Sequence, residues 1–232
     1  MIELFNEDCM EGMKRYPDKY FELAIVDPPY GIEDQISIGG GSHTKSSVKF
    51  HQRYSENHKK WDKAVSSNFF DELFRICEHQ IIWGGNYYSL GRTRGFIVWD
   101  KPEMRIHTMS DCEFAWTSFN RPAKIIQISR YEEKERWHPT QKPVKLYEWL
   151  LKNYAKSGDK ILDTHLGSGS IAIACYNLDF DLTGFEIDKD YYEGACKRLE
   201  EHKKQQRLFD DRGERGQAGE PNPSRERSEK KT

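Results

Sequence analysis

The sequence predicts an α/β fold built on a largely parallel sheet, and three observations carry that reading. Short apolar runs alternate with longer segments of helical period along its 232 residues, the pattern left by parallel strands joined through helical crossovers. A strand, a glycine-rich turn and a helix follow one another in KILDTHLGSGSIA, residues 160–172. A second apolar run, LAIV at 23–26, stops abruptly at Asp27, Pro28, Pro29 and Tyr30. No internal repeat interrupts this order.

Taken in order, strands are expected at Ile2 to Phe5, Leu23 to Val26, Ile81 to Trp83, Phe96 to Trp99, Phe114 to Trp116, Ile125 to Ile128, Lys160 to Leu162 and Leu182 to Phe185. Most are short and dense in β-branched or aromatic residues. A helix is expected over Asn68 to Glu78, where Phe69, Leu73 and Ile76 share a face, and another over Pro143 to Tyr154 through Leu146, Leu150 and Tyr154. Pro143 suits a first turn, where its missing N–H is not needed. A third helix follows Ser170. A fourth opens at Asp188, an N-cap residue type, with Tyr192, Ala195, Cys196 and Leu199 on one face. Gly31 to Trp61 shows no period and is too long for a tight turn, so it reads as a functional loop or an insert.

Charge narrows the function classes. The formal net charge is −2, with 36% hydrophobic and 13% aromatic residues, enough for a core and no bulk polycation. No apolar run reaches the roughly 18 residues of a membrane span, and Met1 to Phe5 has neither basic nor apolar signal regions, so the expected compartment is the cytoplasm. Five dispersed cysteines, Cys9, Cys77, Cys112, Cys175 and Cys196, form no CxxC pair and are expected to be reduced and mostly buried. Lys203 to Thr232 has almost no apolar residues and reads as a disordered polar tail, which leaves one domain over residues 1–202. Two segments are basic. His43 to Lys60 carries five basic residues against one acid, and Arg121 to Lys145 seven against three. A polyphosphate partner would be met by these two segments, and in its absence they are solvated loops.

The glycine turn has the layout of a nucleoside site. Gly167 and Gly169 allow close backbone approach, and the following helix N-terminus offers N–H groups to an anion. Glu186 closes the next strand, 23 residues after Asp163, where an acid can accept both ribose hydroxyls. The turn as written is G-x-G-x-x-A, which keeps an NAD-dependent oxidoreductase as a rival. DPPY has the chemistry of an amine clamp. Asp27 and the Pro28 carbonyl are acceptors for an exocyclic NH2, the prolines stiffen the loop, and Tyr30 offers a face for a planar base.

These motifs resemble the amino-directed DNA methyltransferases. The resemblance rests on DPPY at 27–30, HPTQKP at 138–143 and LDTHLGSGS at 162–170, with IIWGGNYY at 81–88, IVWDK at 97–101 and SDCEFAW at 110–116 as further matches. It covers about residues 1–202. DPPY precedes the cofactor turn, which resembles the circularly permuted order of the family's beta group, and DPPY in place of SPPY resembles its adenine-specific members. The resemblance implies a Rossmann-like S-adenosylmethionine-dependent methyltransferase fold, permuted so that the catalytic half (1–137) comes first and the cofactor-binding half (138–202) last.

Carried over by position, the resemblance makes Asp27, Pro28, Pro29 and Tyr30 catalytic. It implies that Asp8, Asp27, Thr140, Lys142, Asp163, Leu166, Gly167, Ser168, Gly169 and Glu186 hold S-adenosylmethionine, Thr140 and Lys142 through the methionine carboxylate and Asp8 through the cofactor's adenine. Thr164 stands where proline is common in the family and Ser170 where threonine is common, both small departures. The target adenine would be flipped out of the duplex and stacked on Tyr30, with its amine oriented by Asp27 and the Pro28 carbonyl. No cysteine nucleophile and no metal are needed, and His43, His51 and His58 lack zinc-site spacing.

Only about twenty residues, Asn120 to Trp137, stand where the family commonly places a target-recognition region. Recognition therefore falls to Lys45, Lys49, Arg53 and Lys59 in the first basic segment, to Arg121, Lys124, Arg130 and Arg136 in the second, or to another subunit. Phosphate contacts of this kind position an enzyme without naming a sequence. The expected partner is double-stranded DNA, with no membrane. A homodimer and a cognate restriction enzyme are compatible with this reading, and the compact build suits a phage or prophage-like modification enzyme. The same chemistry on a cytosine amine or on RNA is the alternative within the class.

Overall fold

In the computed structural model the described residues are 1–31, 64–104, 110–133, 136–138 and 140–217. The expected loop at 31–60 therefore falls outside them beyond Gly31, as do Lys45, Lys49, Arg53, Lys59, His43, His51 and His58. Among the described residues there are eight strands: β1 (Ile2–Phe5), β2 (Phe21–Val26), β3 (Cys77–Trp83), β4 (Phe96–Asp100), β5 (Cys112–Thr117), β6 (Lys124–Gln127), β7 (Lys160–Asp163) and β8 (Asp181–Phe185). They form one sheet in the order β1-β8-β7-β2-β3-β5-β4-β6. Every expected strand is found, and the sheet is parallel apart from β5, which runs antiparallel to both of its neighbours.

Among the described residues five α-helices flank the sheet: α1 (Cys9–Met13), α2 (Ser67–Ile76), α3 (Val144–Tyr154), α4 (Ser170–Asn177) and α5 (Lys189–Gln217). Alternation along each strand divides the core into two layers. Leu23, Ile25, Ile81, Trp83, Ile97 and Trp99 face α3 and α4, meeting Leu146, Leu150, Ile171 and Ala174. Ala24, Val26 and Ile82 face the other way, against Met13 of α1 and Phe69 and Leu73 of α2. Each such side chain is essentially solvent-free, and burial of this kind stabilises by roughly 1.5–3 kcal/mol per large apolar residue.

The expected boundary at 203 is corrected. The helix continues to Gln217, because its Lys, Glu, Gln and Arg residues are good helix formers and because it is fastened to α4: His202 Nε2 lies 2.6 Å from Asn177 Oδ1, and Gln206 donates to the same oxygen at 3.0 Å. Residues 218–232 lie outside the described set. Its N-terminus is as expected, with Asp188 Oδ1 accepting from the N–H groups of Asp190 and Tyr191. Among the described residues no helix is both long and apolar enough to cross a membrane.

Register sets up the site. β2 and β7, far apart in sequence, lie side by side with Leu23 opposite Ile161 and Ala24 opposite Leu162. Their carboxyl ends, which carry Asp27 and Asp163, therefore open on the same edge of the sheet. β8, followed by Glu186, and β3, followed by Gly84, extend that edge on either side, where ligands of open α/β sheets bind.

Candidate active site

Asp27 follows β2 directly, and three groups fix its carboxylate and the loop behind it. The Tyr30 hydroxyl donates to Asp27 Oδ1 at 2.6 Å, and the Lys142 ammonium is bonded to Oδ2. The Tyr88 hydroxyl donates to the carbonyls of Pro28 at 3.0 Å and Pro29 at 2.8 Å. Burial, followed by the Asp27 charge, pushes the Tyr30 phenol well above its usual range, so it remains a donor. Its ring stacks on Tyr87 with centroids 4.9 Å apart. Gly84, at φ +65°, makes room for that ring: a Cβ there would lie 2.2 Å from Tyr30 Cε1.

Lys142 has partners that the motif reading did not foresee. Expected at the cofactor with Thr140, it is buried between two carboxylates, Asp27 and Glu113, with Glu113 Oε2 at 3.2 Å. Burial alone would lower its pKa, and the two carboxylates outweigh that and raise it. Thr140 is exposed, its hydroxyl 3.3 Å from His138 Nδ1. HPTQKP therefore sends its two expected cofactor residues to different places, because Lys142 turns under the β2 loop just before α3 begins.

The glycine turn has the expected form. Gly167 and Gly169 take φ +50° and +71°, and Gly169 caps α4. Leu166 is buried and its N–H binds Phe185, closing the turn on β8. Glu186 Oε2 accepts the Gly167 N–H at 2.8 Å and Oε1 the Asp188 N–H at 2.9 Å, so the carboxylate is held in place with lone pairs remaining. Asp163 is buried, accepting the His165 N–H at 3.0 Å, and burial pushes its carboxyl up to about 8. Ser168 is buried against Ser170, hydroxyl oxygens 3.0 Å apart. Burial likewise drives His138 and His165 down to about 3 and about 4, keeping both imidazoles neutral.

Asp8, expected near the cofactor's adenine, caps α1 through Oδ1 on the Met10 N–H at 2.8 Å. It also lines a cleft of about 80 Å³ with Glu7, Cys9, Thr164, His165, Glu186 and Ile187. Ile187 is 67% exposed beside Glu186, an apolar surface that the motif reading passed over.

The second basic segment is spread over several places in the fold. Arg121 lies at the opposite end of the sheet, donating to the Asn153 carbonyl at the end of α3 and lying over Phe119 and Tyr154. Arg136 spans the carbonyls of Arg130 and Gln141 at 2.6 and 2.9 Å. Both brace the fold through backbone carbonyls. Lys124 is exposed at the start of β6, and the Arg130 N–H is bonded to Glu103.

Sequence reasoning also missed a second brace. Glu133 accepts the Val144 N–H at 2.6 Å, capping α3, and pairs with Arg198 of α5, which donates to the Ser168 carbonyl and the Ser170 hydroxyl, each at 2.9 Å. The partners lie 65 residues apart, and no local pattern announces the pairing.

Known proteins resemble this chain in sequence and in fold. A profile of the N6/N4 methyltransferase family, described as DNA methylase, matches residues 78–197, just over half of the chain. The type II methyltransferase M2.DpnII of Streptococcus pneumoniae is 41% identical across 85% of this chain and 89% of its own length. Among solved structures, the M1.HpyAVI–SAM complex superposes with a TM-score of 0.55 at 21% identity, over 86% of this chain and all of that one. The PvuII cytosine-N4-specific DNA methyltransferase gives 0.57 at 13%, over 85% of this chain and 86% of that one. The two structures share the fold, and the profile and the 41% identical relative establish the kinship: this chain belongs to the N6/N4 DNA methylase family.

Proposed function

We propose that the chain transfers a methyl group from S-adenosylmethionine to the exocyclic amine of adenine in double-stranded DNA, on a flipped-out base. The observation that carries this reading is the placement of the Asp27 carboxylate, at the carboxyl end of β2, within 2.6 Å of the Tyr30 hydroxyl and beside the glycine turn of β7. Membership of the DNA methylase family leaves an NAD-dependent oxidoreductase without support. DPPY preceding the glycine turn supports the permuted beta-group order, and the absence of a serine at position 27 favours adenine over cytosine. The type II designation of the 41% identical relative supports a place in restriction-modification, and the short Asn120 to Trp137 connection suits a compact, phage-like enzyme of limited site discrimination.

The residues present fit the cofactor. Glu186 keeps unused lone pairs for ribose hydroxyls, Ile187 offers an exposed apolar face, and both line the cleft that Asp8 closes. S-adenosylmethionine, when bound, supplies an electrophilic methyl group whose sulfonium leaves as a neutral thioether. The protein's part is orientation. Asp27 accepts an N–H of the amine, concentrating the lone pair on nitrogen, and receives the proton that nitrogen releases as the N–C bond forms. Pro28 lends a second acceptor, and Tyr30 the stacking face. Lys45, Lys49, Arg53, Lys59, Lys124 and Arg130 are proposed to meet phosphates, which predicts steep salt dependence.

The test is product identity. Duplex DNA labelled from tritiated S-adenosylmethionine, digested and chromatographed, should yield N6-methyladenine. Label in N4-methylcytosine would move the acceptor to cytosine, and label found with RNA substrates alone would overturn DNA as the substrate.

A further inference from the structure

Four side chains of alternating charge run from the β4–β5 region of the sheet to the catalytic loop: Lys101, Glu113, Lys142 and Asp27. Lys101 Nζ lies 3.1 Å from Glu113 Oε1, Lys142 Nζ 3.2 Å from Glu113 Oε2, and Lys142 holds Asp27 Oδ2. The two lysines are only 7% and 3% exposed, and each lies over a buried indole, Lys101 over Trp99 at 5.5 Å and Lys142 over Trp83 at 5.3 Å. A buried ammonium persists only when paired, because desolvation otherwise outweighs its other contacts. The chain therefore spends two buried cations and one extra carboxylate on fixing one oxygen of Asp27. The other oxygen, Oδ1, accepts among the described residues a bond from the Tyr30 hydroxyl at 2.6 Å, a donor that a base amine can replace.

We propose that Lys101, Glu113 and Lys142 are positioning residues that hold Asp27 through Oδ2 and reserve Oδ1 for the N–H of the acceptor amine, with the Tyr30 hydroxyl as the placeholder that the amine displaces. This rests on the reading of Asp27 as the amine acceptor. Glu113 does not touch substrate. By sharing Lys142 with Asp27 it weakens the grip of the ammonium on the acceptor, and Lys101 offsets the charge that Glu113 adds. The other ionisable groups facing this cluster are Tyr30, Arg136, His138, Tyr147 and Asp163.

The consequence is a pair of opposite shifts. Lys142→Met removes the counter-charge of Asp27, so the acid limb of kcat/KM should move to higher pH by about one unit or more. Glu113→Gln keeps the shape, leaves Lys142 wholly to Asp27, and should move the same limb to lower pH. In both, kcat should fall at least 10-fold while the Kd for S-adenosylmethionine changes less than about 3-fold. A brace that served stability alone would lower the active fraction and leave both limbs in place, and that result overturns the proposal. A Kd raised more than 10-fold in Lys142→Met with an unmoved limb would return Lys142 to the cofactor and overturns it too. Should Lys142→Met not fold, the isosteric Glu113→Gln limb decides alone. Asp27→Ala separates the layers: if it still methylates, the reading of Asp27 falls, whereas loss of transfer in Asp27→Ala with unmoved limbs in the other variants refutes the positioning cluster only.

Discussion

Gly84→Ala probes how the backbone shapes the base site. Gly84 has φ +65°, a conformation in which alanine is worse than glycine by roughly 1–2 kcal/mol. The new methyl would also meet Tyr30 Cε1, Cδ1 and Cζ at 2.2, 2.6 and 2.6 Å, against about 3.5–4.0 Å for ordinary carbon contacts. The ring must therefore move by about 1 Å, and it can do so only by loosening the bond to Asp27 and the stack on Tyr87. Adding the lost contact gives a destabilisation of about 2–4 kcal/mol, and a displacement of about 1 Å in a positioning group lowers turnover on the order of 100-fold. Gly158→Ala is the control, since Gly158 has φ +88° with nothing within 4 Å of a Cβ, so it carries the backbone penalty alone. Urea unfolding and steady-state methylation of both variants make the comparison. If Gly84→Ala methylates as fast as Gly158→Ala, Tyr30 is not held by this close approach and the reasoning fails.

Three further outcomes are expected. Glu186→Ala removes a charged acceptor from the cleft and should raise the calorimetric Kd for S-adenosylmethionine on the order of 100-fold, leaving duplex affinity unchanged; an unaltered Kd would take Glu186 out of the cofactor site. Arg198→Met breaks the partly buried pair with Glu133 and the bonds to Ser168 and Ser170, and should lower stability by about 2–3 kcal/mol after allowing for solvent exposure, a drop of roughly 4–12 °C in Tm. The pH dependence of stability follows from three buried groups. His138 and His165, lowered from 6.5 to about 3 and about 4, make the unfolded chain bind more protons below about pH 6.5, so their contribution is lost on acidification. Asp163, raised from 3.8 to about 8, makes the folded chain bind the extra proton, so its contribution is lost as pH rises toward 8. Their sum puts a maximum near pH 6.5, and Asp163→Asn should abolish the decline above it, whose slope approaches about 1.4 kcal/mol per pH unit; an unchanged decline in urea titrations from pH 6.5 to 8 would refute the assignment.

Much of this fold was legible because its signals are local. All eight strands read as short β-branched or aromatic runs, and Asp188, Gly167 and Gly169 announce a cap and a turn through chemistry that few other residues offer. What the sequence did not announce has a common cause. α1 is five residues long, too short for a period, so nothing in the sequence announces that Asp8 caps a helix. Lys142 stands two residues from Thr140 and invites a shared role, yet its partner is Asp27, 115 residues away. Arg121 and Arg136 look like phosphate ligands by composition, and only tertiary contact reveals that each satisfies backbone carbonyls. Lys203 to Gln217 has few apolar residues, but a helix needs few of its own once neighbours such as Asn177 anchor its start. Sequence patterns name the residue types that can do chemistry, while the pairing of buried charges is decided by which strands lie side by side.

The central claim is that Asp27 serves transfer and not cofactor retention. The direct measurement is single-turnover methylation of duplex DNA by wild type and Asp27→Ala, with S-adenosylmethionine affinity measured on the same preparations. The account predicts near-equal Kd values and a transfer rate in Asp27→Ala lower by at least 1,000-fold, on the order of 4 kcal/mol in the barrier. Comparable transfer rates in the two proteins would contradict it.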